Sequence, residues 1–228
     1  MATTQQSSTK QDILKYLLKH DKGTALELAD ALDVSPQAIR RHLKDLEAEE
    51  LILYSSLAES AMGRPQHIYR LTRSGRDRLQ KVSGYGQFTV ELLDTLAETV
   101  GHDQVSTILR KQWERKAQEY RERVGGGSLQ QRVTALVELR KAEGYMAECH
   151  SVEHGSLANV DNLKEGYILM EHNCAISNVA ESFPSVCGHE LEMFGAVLPD
   201  CTVERTHWII NGEHRCGYLV QARSPQVN

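Results

Sequence analysis

SPQAIRRHLKDLEAEELILYSSL, residues 35–57, holds a helix and the strand after it, and its reading decides the fold of the first third of the chain. Ser35 supplies a side-chain oxygen just before Pro36, a combination that starts a helix without wasting an amide. Ile39, Leu43 and Leu46 then line one face, while Gln37, Arg40, Arg41 and Lys44 occupy the other at spacings of three and four. Two shorter helices precede this one. TKQDILKYLLKH places Ile13, Leu14, Leu17 and Leu18 for a helix over residues 10–20 that stops at Asp21, Lys22 and Gly23, and TALELADALDV gives a second helix capped by Thr24. A short second helix, a tight turn and a third helix with polar and basic first turns form a helix-turn-helix, whose third helix enters the major groove.

The residues that follow complete the motif. LILYSSL and QHIYRL are strand-like runs around AESAMGRP, a β-hairpin with Gly63, Arg64 and Pro65 near its tip, and LTRSGRDRL opens another helix at Thr72. Three helices and this hairpin predict a winged helix over residues 9–81, with Arg64 beside the minor groove or the phosphates. The expected DNA contacts are Ser35, Gln37, Arg40, Arg41, Lys44 and Arg64 on double-stranded DNA. The net charge of −5 does not oppose this, because residues 1–81 hold 13 Lys and Arg against 11 Asp and Glu, whereas residues 145–228 hold 4 against 11. Within residues 60–81 six basic residues face Asp77 alone.

With 228 residues, 40% hydrophobic and 25% charged, the composition is that of an ordinary globular chain of two domains. The opening MATTQQSSTK lacks a signal-peptide core, and no apolar run approaches the roughly 18 residues of a membrane span, so the expectation is a cytoplasmic protein without a membrane partner. A phosphate-binding glycine loop, a nucleophile elbow and a metalloprotease helix motif are all missing, which argues against an enzyme. FTVELLDTLAETV, DQVSTILRKQWERKAQEYRERV and, after the GGGS break at 125–128, LQQRVTALVELRKAEG read as helices of a dimerisation or linker region over residues 86–143. One reading head per chain and a palindromic operator together predict a homodimer. Trp113 and the leucines here read as core or dimer packing.

In the last third, GYMAECHSV and EGYILMEHN read as strands, and CAISNVAES and CGHELEMFGAVL as helices that each begin at a cysteine. CTVERTHWIINGEHRCGYLVQA reads as a hairpin around Asn211 and Gly212. This is a small α+β sensor domain over residues 144–222, so that the whole chain is α+β. It contains all five cysteines, which in a reducing compartment are not structural disulfides. Cys149 reads as a small buried side chain. Cys174 and Cys187, at helix starts, are expected to have lowered pKa values and thiolate character. A close C-x-x-C pair for structural zinc and a C-x-x-C-H haem motif are both missing, and the wide spacing suits a cluster seated between separate elements. A zinc or thiol redox sensor is the alternative.

With the winged helix in place, EHNCAISNVAESFPSVCGHELEMF and VERTHWIINGEHRCGYLV make the chain resemble, over nearly its whole length, the SufR family of bacterial regulators, which are DeoR/ArsR-like winged-helix repressors. The resemblance implies a homodimer that carries one iron–sulfur cluster per subunit, 4Fe-4S or 2Fe-2S. It also implies repression of the suf operon for cluster biosynthesis through its operator DNA. Cys174 in HNC, Cys187 in VCGHE and Cys216 in EHRCGY fall on the family's ligand positions. Hairpin geometry adds an independent constraint. If Asn211 and Gly212 close a tight turn, Cys216 faces His207, and Cys201 lies six positions away, about 20 Å at 3.3 Å per residue. Unless a bulge breaks the hairpin or Cys201 reaches a cluster in another subunit, only Cys174, Cys187 and Cys216 converge in one chain. A histidine, a carboxylate or solvent then fills the fourth position, with His207 the candidate because it pairs across from Cys216.

Overall fold

The computed structural model describes residues 8–57, 66–80, 84–152 and 166–223. The chain forms two compact units, Met1–Val82 and Ser83–Asn228.

The first unit runs α1 (Thr9–His20), β1 (Gly23–Thr24), α2 (Ala25–Leu32), α3 (Pro36–Ala48), β2 (Ile52–Leu57), β3 (Gln66–Leu71) and α4 (Arg73–Gln80). Its helices start where side chains can satisfy the first amides. Thr24 and Glu27 form a reciprocal capping box on α2, and Ser35 accepts the Ala38 N–H at 3.3 Å on α3. Ile13, Leu17, Leu28, Ile39, Leu43 and Leu46 are wholly buried, so the predicted stripes meet in one core. Between α2 and α3 the chain reverses at Asp33, which adopts the left-handed conformation (φ 52°) and returns its N–H to the Ala29 carbonyl. A short polar residue tolerates that geometry. The predicted wing strands pair from Ile52–Leu71 to Leu57–Gln66. An unforeseen β1 adds Gly23 and Thr24 beside Tyr69 and Ile68, in the order β1-β3-β2. Arg64 and the hairpin tip lie outside the described residues.

Thr72 ties α4 to the end of α3. Its hydroxyl donates to the Glu50 carbonyl at 2.7 Å and accepts the Gly75 N–H at 3.0 Å. The approach is so close that a Cβ on Gly75 would lie 2.0 Å from the Leu51 carbonyl oxygen.

The second unit comprises α5 (Gly84–Val100), α6 (His102–Val124), α7 (Leu129–Ala142), β4 (Ala147–Ser151), β5 (Gly166–Glu171), α8 (Ser177–Ser182), α9 (Ser185–Val197), β6 (Cys201–His207) and β7 (Cys216–Ala222). The strands form one antiparallel sheet in the order β4-β5-β7-β6. A single core runs from Leu93 on α5 through Trp113, Val133 and Phe194 to Val220 on β7. The helices over 86–143 and the sensor region over 144–222, read from sequence as separate, therefore share one interior.

Two local expectations give way. Neither helix begins at a cysteine: α8 starts at Ser177, whose N–H bonds the Cys174 carbonyl at 3.2 Å, and α9 starts at Ser185, two residues before Cys187. Nor do Asn211 and Gly212 make a tight reversal. The two-residue hairpin turn favoured by Asn-Gly needs positive φ at both positions, and here only Gly212 has it (φ 88°). Ile209–Asn211 instead form a 3-10 turn that Gly212 closes onto the Ile209 carbonyl. Trp208, Ile209 and Ile210 pack against the core, and the Glu213 carboxylate holds the Trp208 N–H. Partly burying these three large side chains outweighs the local turn preference.

Gly75→Ala should cost the first unit about 1–3 kcal/mol through forced displacement of Leu51. Gly195→Ala in α9, where the added Cβ meets nothing, should instead stabilise by about 0.4–1 kcal/mol. Urea unfolding of the two variants against the parent checks the contrast.

Candidate functional site

α3 buries Ile39, Leu43 and Leu46 and exposes Ser35, Gln37, Arg40, Arg41 and Lys44 along its other side. Ser35 is occupied as the helix cap. The acids at the far end, Asp45 and Glu49, are drawn to Lys10 Nζ at 3.3 and 2.9 Å, which leaves the first turns basic and the helix N-terminus favourable to phosphate. On the wing strands Tyr54 and His67 stack with ring centroids 4.4 Å apart, and Tyr69 stands 6.1 Å from Tyr54. Sequence reading missed this aromatic group, although Tyr54 and Tyr69 are direct cross-strand partners.

In the second unit Cys174, Cys187 and Cys216 lie within electrostatic reach of one another, though they come from the entry to α8, from α9 and from β7. Cys201 stands apart. It pairs with Ala222 at the opposite end of β6, wholly buried, with Arg132 Nη2 at 4.0 Å from its sulfur and Asp200 beside it. Cys149 is a half-buried member of the core. His207 does not join the thiols. A bulge between Arg205 and His207 sets it opposite Gly217, where a Cβ would lie 2.9 Å from its Nδ1. Neighbouring positions on a strand face opposite sides, so His207 lies on the side away from Cys216 and bonds Thr206 Oγ1 at 3.0 Å.

The thiol pKa values move opposite to expectation. Burial pushes all three up, Cys216 to about 12, and the Glu190 carboxylate facing each of them adds to the rise. Cys174 lies before α8, Cys187 in the first turn of α9 and Cys216 at the start of β7, and at all three the loss of hydration outweighs the nearby N–H groups. Backbone N–H groups nevertheless lie at two of the sulfurs, that of Ile176 at Cys174 and that of Ile209 at Cys216, and the Trp208 indole lies beside Cys187. Trp208 Nε1 is buried with no hydrogen-bond partner among the described residues. Hydrogen bonds of this kind hold and tune the sulfur ligands of iron–sulfur clusters, so the donor set fits such a group. Among the described residues, no three His, Cys, Asp or Glu side chains are close enough to hold a single metal ion.

Beside the thiols is a polar network that sequence reading did not find. Arg140 on α7 is wholly buried, with Nε donating to Glu171 Oε1 at 2.6 Å and Nη1 to Glu143 Oε2 at 3.3 Å. Its Nη2 donates to Glu190 Oε1. Tyr145 and Tyr218 hydroxyls donate to the two Glu190 oxygens at 3.4 and 2.9 Å, and the guanidinium stacks 3.5 Å over the Tyr145 ring. Burial pushes the Glu171 carboxyl up, Arg140 pulls it down and Glu190 pushes it up again. The segment before Cys174 is also pinned. His172 Nε2 meets Glu148 Oε1 at 2.9 Å, and Asn173 donates to the Gly144 carbonyl at 3.0 Å while accepting the Met146 N–H. One signal was available: Val133, Leu136, Val137 and Arg140 follow the spacing of one helix face, which puts a cation on the buried side of α7.

Residues 9–56 match the family described as an HTH domain. Among solved structures, a ZitR variant from Lactococcus lactis is 21% identical, covering 47% of this chain and 71% of that one, with a TM-score of 0.29. The adhesin competence repressor AdcR from Streptococcus pyogenes is 20% identical, covering 51% and 84%, also at 0.29. These likenesses are too slight to carry a conclusion. No curated protein matches the chain. Among the described residues no helix is long and apolar enough to cross a membrane. With the helix-turn-helix match, the fold is that of an α+β, DNA-binding transcriptional regulator of the winged-helix type.

Replacing Arg41 and Lys44 together by Ala should weaken binding to DNA selected from a random pool by at least about tenfold. It should also lower the slope of log affinity against log salt by roughly one for each phosphate contact removed. Fluorescence anisotropy across a salt series measures both.

Proposed function

We propose that the protein is a homodimeric repressor of iron–sulfur cluster biosynthesis genes, of the SufR type, whose C-terminal unit reports whether a cluster is held by Cys174, Cys187 and Cys216. The observation that carries this reading is the gathering of three thiols from separate elements within electrostatic reach of one another and of Glu190, with backbone N–H groups at Cys174 and Cys216. An iron–sulfur cluster bound there supplies a link between three elements that depends on iron supply and is sensitive to oxidation. The chain's part is to gather the sulfurs, to exclude water from them and to release their protons on ligation, which burial otherwise retains. Glu190 is not a ligand, because Arg140, Tyr145 and Tyr218 already occupy its oxygens.

Gln37, Arg40, Arg41 and Lys44 make the DNA contact, and a second copy supplies the second reading head about one DNA turn, roughly 34 Å, away. The face for that copy lies on α5. Phe88 and Leu92 are 62% and 47% exposed, and Thr95 and Thr99 continue their line at the 4-3-4 spacing of a coiled-coil seam. Both threonines turn their hydroxyls onto carbonyls four residues back, at 2.8 and 2.7 Å, so the stripe's polar atoms are already satisfied. A tenfold to hundredfold difference in operator affinity between the two states of the dimer needs a coupling free energy of only about 1.4–2.7 kcal/mol.

Anaerobic reconstitution tests the sensor. Cys174→Ser, Cys187→Ser and Cys216→Ser should each lose iron and sulfide, Cys201→Ser should retain both, and the loaded wild type should hold suf promoter DNA at least tenfold tighter than the metal-free form at equal salt. Equal affinities, or a wild type without iron, would sink the reading. The Phe88→Glu, Leu92→Glu double variant should sediment as a monomer at concentrations where the parent is a dimer.

A further inference from the structure

Each thiol-bearing segment also carries one polar side chain that ends on the same buried network. Glu171, three residues before Cys174, binds Arg140; Glu190, three residues after Cys187 on α9, binds Arg140 as well. Tyr218, two residues after Cys216 and on the same face of β7, donates to Glu190 at 2.9 Å. Cys216 is moreover the cross-strand partner of Glu171. Arg140 bears no thiol and comes from the helix that precedes the sheet, yet among the described residues it is the only group hydrogen-bonded to both carboxylates. At 0% exposure it has no alternative partner in solvent.

We propose that Arg140, Glu171, Glu190 and Tyr218 form a positioning constellation that holds Cys174, Cys187 and Cys216 together before any metal arrives. The proposal rests on the reading of these three thiols as one ligand set. It separates two jobs: the sulfurs bind, and the guanidinium fixes the three segments from which they project. Helix spacing puts Glu190 one turn from Cys187, strand spacing puts Tyr218 on the side of Cys216, and Glu171 closes the third path. A displaced Glu190 therefore moves Cys187 directly and loosens Cys216 through Tyr218.

The test uses metal-free, full-length protein equilibrated anaerobically with glutathione buffers. Two protein thiols and one oxidised glutathione exchange to a protein disulfide and two reduced glutathiones, and the equilibrium position gives the effective concentration of the pair. Mass spectrometry identifies the pair. In the wild type the disulfide should form among Cys174, Cys187 and Cys216. Tyr218→Phe and Glu190→Gln, each nearly isosteric, should lower its effective concentration about tenfold. Val133→Ala, in the same core but away from the network, should lower the melting temperature and leave the effective concentration unchanged. No pairing among the three in the wild type, unchanged values in both network variants, or an equal fall in Val133→Ala would each overturn the proposal. Iron and sulfide assays on the same preparations keep the two readings apart. Close thiols without iron would remove the cluster and leave the constellation, whereas iron bound with unaltered effective concentrations would do the opposite.

Discussion

A guanidinium with no access to solvent must find all its partners inside the protein, and in the second unit that requirement falls on Arg140. Removing a charge from water costs several kcal/mol even after relaxation, and only close, well-directed partners offset it. Glu171, Glu143 and Glu190 take its N–H groups, and the Tyr145 ring covers its face. The dependence runs both ways, since Glu171 and Glu190 are themselves almost fully buried and tolerable only beside a cation. α7, β5 and α9 are locked at the same point, with β7 joined through Tyr218. A hydrophobic replacement of the whole set would fold as well or better on general grounds. What the ionic set supplies in this structure is a single point at which the four elements are joined.

The two units distribute charge in contrasting ways. The winged helix keeps its cations outside, on the exposed side of α3, and diverts nearby acids to Lys10. The second unit carries the surplus of acid in the sequence and places part of it inside, against the thiols. A whole-chain charge of −5 therefore describes neither surface that matters. DNA meets a local basic face, and the thiols meet carboxylates that raise their pKa values until something positive replaces the proton.

Periodicity made the winged helix legible, because stripes such as Ile39, Leu43 and Leu46 are local and the caps Ser35 and Thr24 mark where helices begin. The separation of Cys201 from Cys216 was also readable, since strand rise is nearly constant, and it survives the change of turn. What failed were inferences that needed tertiary context. Asn211-Gly212 signalled a tight turn, but the burial of Trp208 and Ile209 was decided by residues far away in sequence. The lowered thiol pKa values assumed helix starts that lie elsewhere, and His207 moved to the other side of the sheet through a one-residue bulge that no local pattern announces. Arg140 was overlooked because a charged residue in a helix usually faces solvent, and its partners come from segments that only the fold brings near.

The separations within that network also constrain the order of events during synthesis. Glu171 and Glu190 lie 31 and 50 residues beyond Arg140, and Tyr218 a further 28 beyond Glu190. Contacts of such long range form late, after loop closure has been offset by other packing. On a growing chain, α7 emerges with its arginine still hydrated, and Cys174 and Cys187 follow before β7 exists to complete the set. A nascent protein thus exposes two thiols in an unfinished pocket, and commitment to the closed arrangement waits for the last strand.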